Sequence, residues 1–260
     1  MKITEEVISL ARRYGACKEG LAWARERPRD TSELPRRYAK WLADNVPLPD
    51  ELADDLHFRG FGRKWRKNGK LHREDGPAVE YSNGTREWYR DGLLHRIDGP
   101  AVERYDGSTE WYLRGKLHRE DAPAIECDNG AREWYRNGKL HRDDGPAFES
   151  VKGTKIWCRN GQMHREDGPA IERADGSKEW WINGFRHRKD GPAVEYADGT
   201  REWFYGSQLH REDGPAIEYA NGTREWYRNG ELHREDGPAV EHPDGTTLWY
   251  QNGRRIQPQK

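Results

Sequence analysis

Cysteine is almost absent from this chain of 260 residues, which holds three: Cys17, Cys127 and Cys158. Their spacing offers neither a disulfide framework nor a Cys-x-x-Cys metal pair. A reducing, cytoplasmic setting is the expectation. Long apolar runs are missing too. No stretch approaches the ~18 residues of a spanning helix, and no signal-peptide pattern opens the sequence, so neither a membrane nor export is expected. Only 33% of the residues are hydrophobic, against about 45–50% in ordinary globular chains, which argues against a thick two-layer core. Nor is one sign of charge in excess, with 45 basic and 46 acidic residues and a net charge of −1. Generic attraction to nucleic acid or to anionic lipid needs a basic excess. A DNA mimic would need an acidic one.

What the chain does have is aromatic. Twelve Trp and twelve Tyr are far more than a disordered segment carries. The Trp residues also form a ruler. Trp65, Trp88, Trp111, Trp134, Trp157, Trp180, Trp203, Trp226 and Trp249 are each 23 apart. His72, His95, His118, His141, His164, His187, His210 and His233 keep the same step, as do eight Pro from Pro77 to Pro238. Eight full repeats run from Trp65 to Leu248 without an insertion or deletion. An unbroken period means that each repeat stacks on its neighbour in a fixed register.

The repeat reads as β. Asn-Gly occurs at Asn68, Asn137, Asn160, Asn183 and Asn229, and it supplies the two positive φ angles of a type I′ hairpin turn. In the seventh repeat the pair is Gly206-Ser207, which suits type II′. A second turn falls at Asp106-Gly107, Asp175-Gly176 and Asp198-Gly199. Two-residue loops would pair Val194 with Trp203 and Trp226 with His233. Trp, Val or Ile, and His would then share one face, with Tyr and the Leu before His on the other. At two strands per repeat and about 4.8 Å per strand, eight repeats would span roughly 75 Å. The predicted fold is mainly β: an elongated single-layer antiparallel hairpin array over residues 61–253, with a polar tail at 254–260.

The pattern W-x-x-N-G-x-x-H-x-x-x-G followed by Asp/Asn-Gly resembles the MORN repeat family in a variant form, over about residues 61–253. The resemblance implies hairpins stacked into a single-layer sheet that serves as a scaffold, dimerisation module or accessory arm. Such arrays are also associated with lipid. Here "REDGPA" departs from the family's commoner Gly-x-Gly continuation, which weighs against a lipid role.

Residues 1–60 do not repeat. "TEEVISLARRYG" opens with Thr4 as an N-cap and stops at Gly15. "CKEGLAWARER" and "SELPRRYAKWLADNV" have helical spacing. A small all-α domain is expected, packing Ile8, Leu10, Leu21, Trp23, Tyr38, Trp41 and Leu42, and either capping the first sheet edge or recruiting a partner. The phrase "YGACKEGLAWAR" resembles a helical lead-in of phage and prophage proteins, which implies a phage or bacterial origin.

The eightfold His-x-x-Asp, for example His95 with Asp98 and His118 with Asp121, invites a metal or general-base reading. Equivalent His residues two strands apart lie roughly 9–10 Å from each other, too far for one ion with bonds near 2 Å. Catalysis needs one distinctive constellation, and these residues recur. His is therefore expected to pack on Trp (Trp88, Trp111 and Trp134 with His95, His118 and His141) and to bond an Asp or backbone group at the "EDGP" corner. Arg beside Glu-Trp pairs is expected to form weak surface ion pairs. No cofactor, metal or catalytic residue is assigned.

Departures between repeats locate a candidate surface. Most stay close to "WYRNGKLH"; the sixth reads "WWINGFRH" and the seventh "WFYGSQLH". Trp181, Ile182, Phe185, Arg186, Phe204 and Tyr205 thereby cluster on adjacent hairpins, and Arg186 takes the Leu place, as if apolar and basic had exchanged faces. Lys152 and Lys155 depart from the pattern as well. An exposed patch of Trp, Tyr and Arg suits a protein-binding hot spot. The expected function is a non-enzymatic scaffold binding another protein, with homodimerisation open. One alternative is a phage-type inhibitor that blocks a host enzyme or defence complex. The other is a nucleotide or nucleic-acid binder using Trp/Arg stacking.

Overall fold

A computed structural model of the protein describes residues 62–257, so the helical expectation for residues 1–60 lies outside the described residues. The chain forms two compact parts, dividing between Asp128 and Asn129. No helix occurs among the described residues, and every strand is two residues long.

Each repeat carries two kinds of hairpin because it carries two kinds of turn. Tyr227–Arg228 pairs with Glu231–Leu232. Between them Asn229 and Gly230 have φ of 52° and 83°, the left-handed pair that a type I′ turn demands. The expected opposition of Trp226 and His233 holds, with His233 N–H donating to the Trp226 carbonyl at 2.9 Å. At Gly206-Ser207 both φ are positive, 58° and 65°. The turn is therefore type I′, not the expected II′. Ser207 tolerates the left-handed region while its hydroxyl accepts the Arg186 N–H at 3.0 Å.

The Asp-Gly turns are longer than two residues. Val194 pairs with Glu202 and Glu195 with Arg201. Asp198 Oδ1 accepts the Thr200 N–H at 2.8 Å, and Gly199 at φ 93° adds a left-handed bulge residue. This moves the register by one place, so Val194 opposes Glu202 and not Trp203. Because side chains alternate, the facing changes as well. Val and Ile share a face with Glu and Tyr, while Trp and His lie opposite. In the first part the row reads Val79, Glu87, Val102, Glu110, Ile125 across successive strands. In the second, one row runs Ile171, Glu179, Val194, Glu202, Ile217, Glu225, Val240.

Trp is the vertex between the two hairpins. Its N–H donates to the carbonyl of the Ala thirteen residues on, as from Trp203 to Ala216 at 2.8 Å, and its carbonyl accepts from His210 at 3.0 Å. That Ala is the innermost residue: Ala78, Ala101, Ala124, Ala147, Ala170, Ala193, Ala216 and Ala239 are all fully buried. The Val or Ile that follows is nearly so in six repeats, at Val79 and Val194 above all, while Ile125 and Phe148 are half-buried. Fully burying one such Val contributes about 1.5–3 kcal/mol. The core is thus made of small residues repeated many times, with the larger Trp half-buried around it.

Candidate functional site

The corner "HREDGP" is built round its Arg. Arg211 places its guanidinium 4.1 Å above the ring of Trp203. Nε donates to Asp213 at 3.0 Å, and Nη1 donates to the Pro215 carbonyl at 3.3 Å and to Glu218 at 3.2 Å. The same stack recurs at 3.8–4.1 Å in all eight repeats, including Arg96 on Trp88, Arg119 on Trp111 and Arg142 on Trp134. Arg, not the expected His, is what covers Trp. The following Gly is small for the same reason: a Cβ on Gly214 would stand 2.9 Å from the Arg211 Cζ. Ala122 occupies this place in the third repeat and its Arg119 stays stacked at 3.9 Å, so a methyl is accommodated. Hydrogen bonding to Arg holds Asp213, Asp167 and Asp236 below the usual carboxylate range. Asp98 accepts from Arg96 at 3.2 Å, and Asp121 is exposed at its corner.

His ties one repeat to the next. Nδ1 accepts the main-chain N–H of the residue nineteen places on, at the following hairpin turn. His72 receives Asp91, His95 Arg114, His141 Asn160, His164 Asn183, His210 Asn229 and His233 Asn252, at 3.0–3.2 Å. The expected partner at the "EDGP" corner is met by Nε2 alone, 3.4 Å from Glu74 at His72 and from Glu235 at His233, and it is Glu where Asp or a backbone group was expected, while Nδ1 makes this longer reach. An accepting Nδ1 leaves the proton on Nε2. That atom faces a carboxylate two residues along, as at His233–Glu235, 3.4 Å, and His118–Glu120, 4.0 Å. Among the described residues no three His, Cys, Asp or Glu converge on a point where a metal ion could sit.

The tie requires a neutral ring. Burial, then the nearby Arg90 and Arg114, push the His95 pKa below its ordinary value. The unfolded chain therefore takes up the proton first, and stability falls as pH drops below about 6.5. We expect the urea midpoint to decrease between pH 7.5 and pH 5.5, and His95→Gln to flatten that dependence. An unchanged slope in the variant would refute the assignment.

The opposite face is organised by Glu and Tyr. The phenols of Tyr89, Tyr112 and Tyr227 donate to Glu87, Glu110 and Glu225 at 3.0–3.1 Å. Burial, then the neighbouring Glu charge, push Tyr112 up to about 12. In the fifth repeat Cys158 holds the phenol's place and Ile156 the carboxylate's before it, so the donor and acceptor disappear together. Burial raises the Cys158 thiol to about 11, which makes it unreactive.

The sixth and seventh repeats redistribute the predicted patch between the two faces. Trp181 and Arg186 are opposed, as are Ile182 and Phe185. Arg186 stands in the Leu place on the Tyr face, 5.1 Å from the ring of Trp181 and 5.2 Å from that of Phe204. It reaches the buried Glu179 at 3.2 Å, and Trp181 Nε1 bonds the same carboxylate at 3.1 Å. Arg173 grips Glu179 as well. Burial pushes the Glu179 pKa up, but Arg173, Arg186 and Trp181 together outweigh it and hold the group below its ordinary value. Trp181, Arg186 and Phe204 are therefore engaged within the sheet. Glu202 lacks the usual phenol because Phe204 follows it, and burial raises its pKa against the opposing bond from Tyr196.

Ile182, Phe185 and Tyr205 belong to the other face. Phe185 is 57% exposed and Tyr205 67%. The Tyr205 ring centre lies 6.1 Å from that of His187 and 5.9 Å from that of His210. The predicted lysines belong elsewhere in the repeat. Lys155 sits in the main ladder opposite Glu149 and Glu172, and Lys152 is exposed in the turn of that ladder. Sequence reading missed Lys189, the one basic residue at the third place of the "HRED" corner, although aligning the eight corners displays it.

No helix among the described residues is long and apolar enough to cross a membrane. The chain matches no protein-family model and no curated protein.

Proposed function

We propose that the chain is a non-enzymatic, MORN-like scaffold that binds a protein partner through Ile182, Phe185 and Tyr205. One observation carries this reading: two large aromatic-bearing side chains stay more than half exposed, at 57% and 67%, while the departures beside them are packed and paired. Exposed aromatic anchors of this kind dominate protein interfaces energetically. The recurrent groups support the same view. Every stacked Trp is already covered by an Arg whose donors are used inside the repeat, which takes the pair away from base stacking.

The test restores the commoner residues of the repeat, Phe185→Lys with Tyr205→Arg. Surface changes of this sort alter stability by about 0.5 kcal/mol or less. We expect the double variant to melt like the parent and to lose a salt-tolerant protein partner, identified by mass spectrometry and confirmed by titration with the purified partner. Undiminished partner binding by the variant would defeat the reading. Salt-sensitive binding of oligonucleotides in its place would favour nucleic acid.

A further inference from the structure

The sixth corner differs from its seven counterparts in charge. The sequence there is His187-Arg188-Lys189-Asp190, where Glu, Asp or Ile fills the third place in every other repeat. In regular repeats the acidic residue at this place pairs with the cation just before the hairpin turn. Lys67 meets Glu74 at 3.6 Å, Arg136 meets Asp143 at 3.0 Å, and Arg228 meets Glu235 at 3.0 Å. In the sixth repeat both partners change together. Ile182 replaces the cation and Lys189 replaces the acid, so the reversal places no like charges against each other. Lys189 is exposed and has no ion-pair partner among the described residues.

His187 is altered by the same substitutions. The carboxylate that faces Nε2 in six of the other corners is gone, as it is at His95, where Ile97 holds its place. The following turn is Gly206-Ser207, whose Ser hydroxyl takes the Arg186 N–H, and the His187 ring makes no hydrogen bond among the described residues. The ring of Tyr205 lies 6.1 Å from it, centre to centre. An imidazole without a hydrogen bond thus stands beside the exposed Tyr205, and an unpaired ammonium follows two residues along the same corner. Both can donate hydrogen bonds to an anion. Asp190 on the same corner and Glu212 on the next are both exposed acids.

We propose that this corner receives an acidic segment of a protein, whose carboxylate meets Lys189 and His187 while an aromatic or aliphatic side chain covers Phe185 and Tyr205. The inference rests on the docking surface described above and adds the chemistry of its occupant. Charge complementarity selects that occupant: a basic segment would meet Lys189 unfavourably here and would be drawn instead to the six corners that carry an acid at the third place.

The test uses the full chain and three labelled octapeptides that share one Phe and one Leu. The six remaining residues are Glu, Lys or Ser. Fluorescence anisotropy should show the Glu peptide binding most tightly and weakening with salt. Lys189→Glu, which restores the commoner corner, should lower its affinity about fivefold, the upper range for a single exposed ion pair. The Ser peptide should bind both proteins alike. Phe185→Lys should weaken all three peptides. Preference for the Lys peptide, equal binding of the Glu and Ser peptides, no binding of the Glu peptide, or indifference to Lys189→Glu overturns acid recognition. Partner loss in Phe185→Lys with Tyr205→Arg is scored separately, so the docking surface can stand when its acid preference fails.

Discussion

Ala193→Asp costs the second part of the chain more than about 4 kcal/mol, the range reached when a charge is buried without a partner. Ala193 is wholly inaccessible, and Val194 beside it is 1% exposed. Its carbonyl is already taken by the Trp180 N–H at 2.8 Å. An aspartate there can neither reach water nor find a donor without parting the ladder. Ala193→Leu should cost less, about 1–3 kcal/mol, by overpacking alone. Since neighbouring repeats support one another, the loss should spread to both sides of the substitution. Urea unfolding followed by Trp fluorescence, with amide exchange to localise the opening, measures it. A midpoint for Ala193→Asp matching the parent would show that the Ala column is not the core.

Arg211→Ala is the second large effect, at about 3 kcal/mol. The stack on Trp203 contributes about 0.5–2 kcal/mol, and a hydrogen bond involving a charged group about 1.5–3 kcal/mol. The Arg side chain is 22% exposed, whereas Asp213 is 86% exposed, so that pair adds little and the weight falls on Trp203, Pro215 and Glu218. Arg211→Lys should recover less than half. An ammonium cannot cover the ring and reach both oxygen acceptors at once. Full recovery by Lys in urea unfolding would reduce Arg211 to a point charge.

Both effects involve residues that sequence reading passed over, and the reason is the same. Ala216 looks featureless until the backbone N–H of Trp203, thirteen residues earlier, is seen bonded to it. Arg211 looks like a surface charge until Trp203 and Gly214 are found against it. The candidate surface was legible as a departure from the repeat, but its division was not. Arg186 and Phe185 are adjacent in sequence, yet one is held by Glu179 and the other faces outward.

The sequence by itself determined the period, the β class and the Asn-Gly turns, because these depend on local demands: an unbroken spacing and residues that accept positive φ. Tertiary structure alone decided the register of the Asp-Gly hairpins, since Asp198 and Gly199 lengthen the loop and one place of slip exchanges the faces. It also decided that Arg covers Trp while His reaches the next turn, nineteen residues away. Such partners are set by how successive hairpins fold against one another, which the spacing of residue types along the chain does not display.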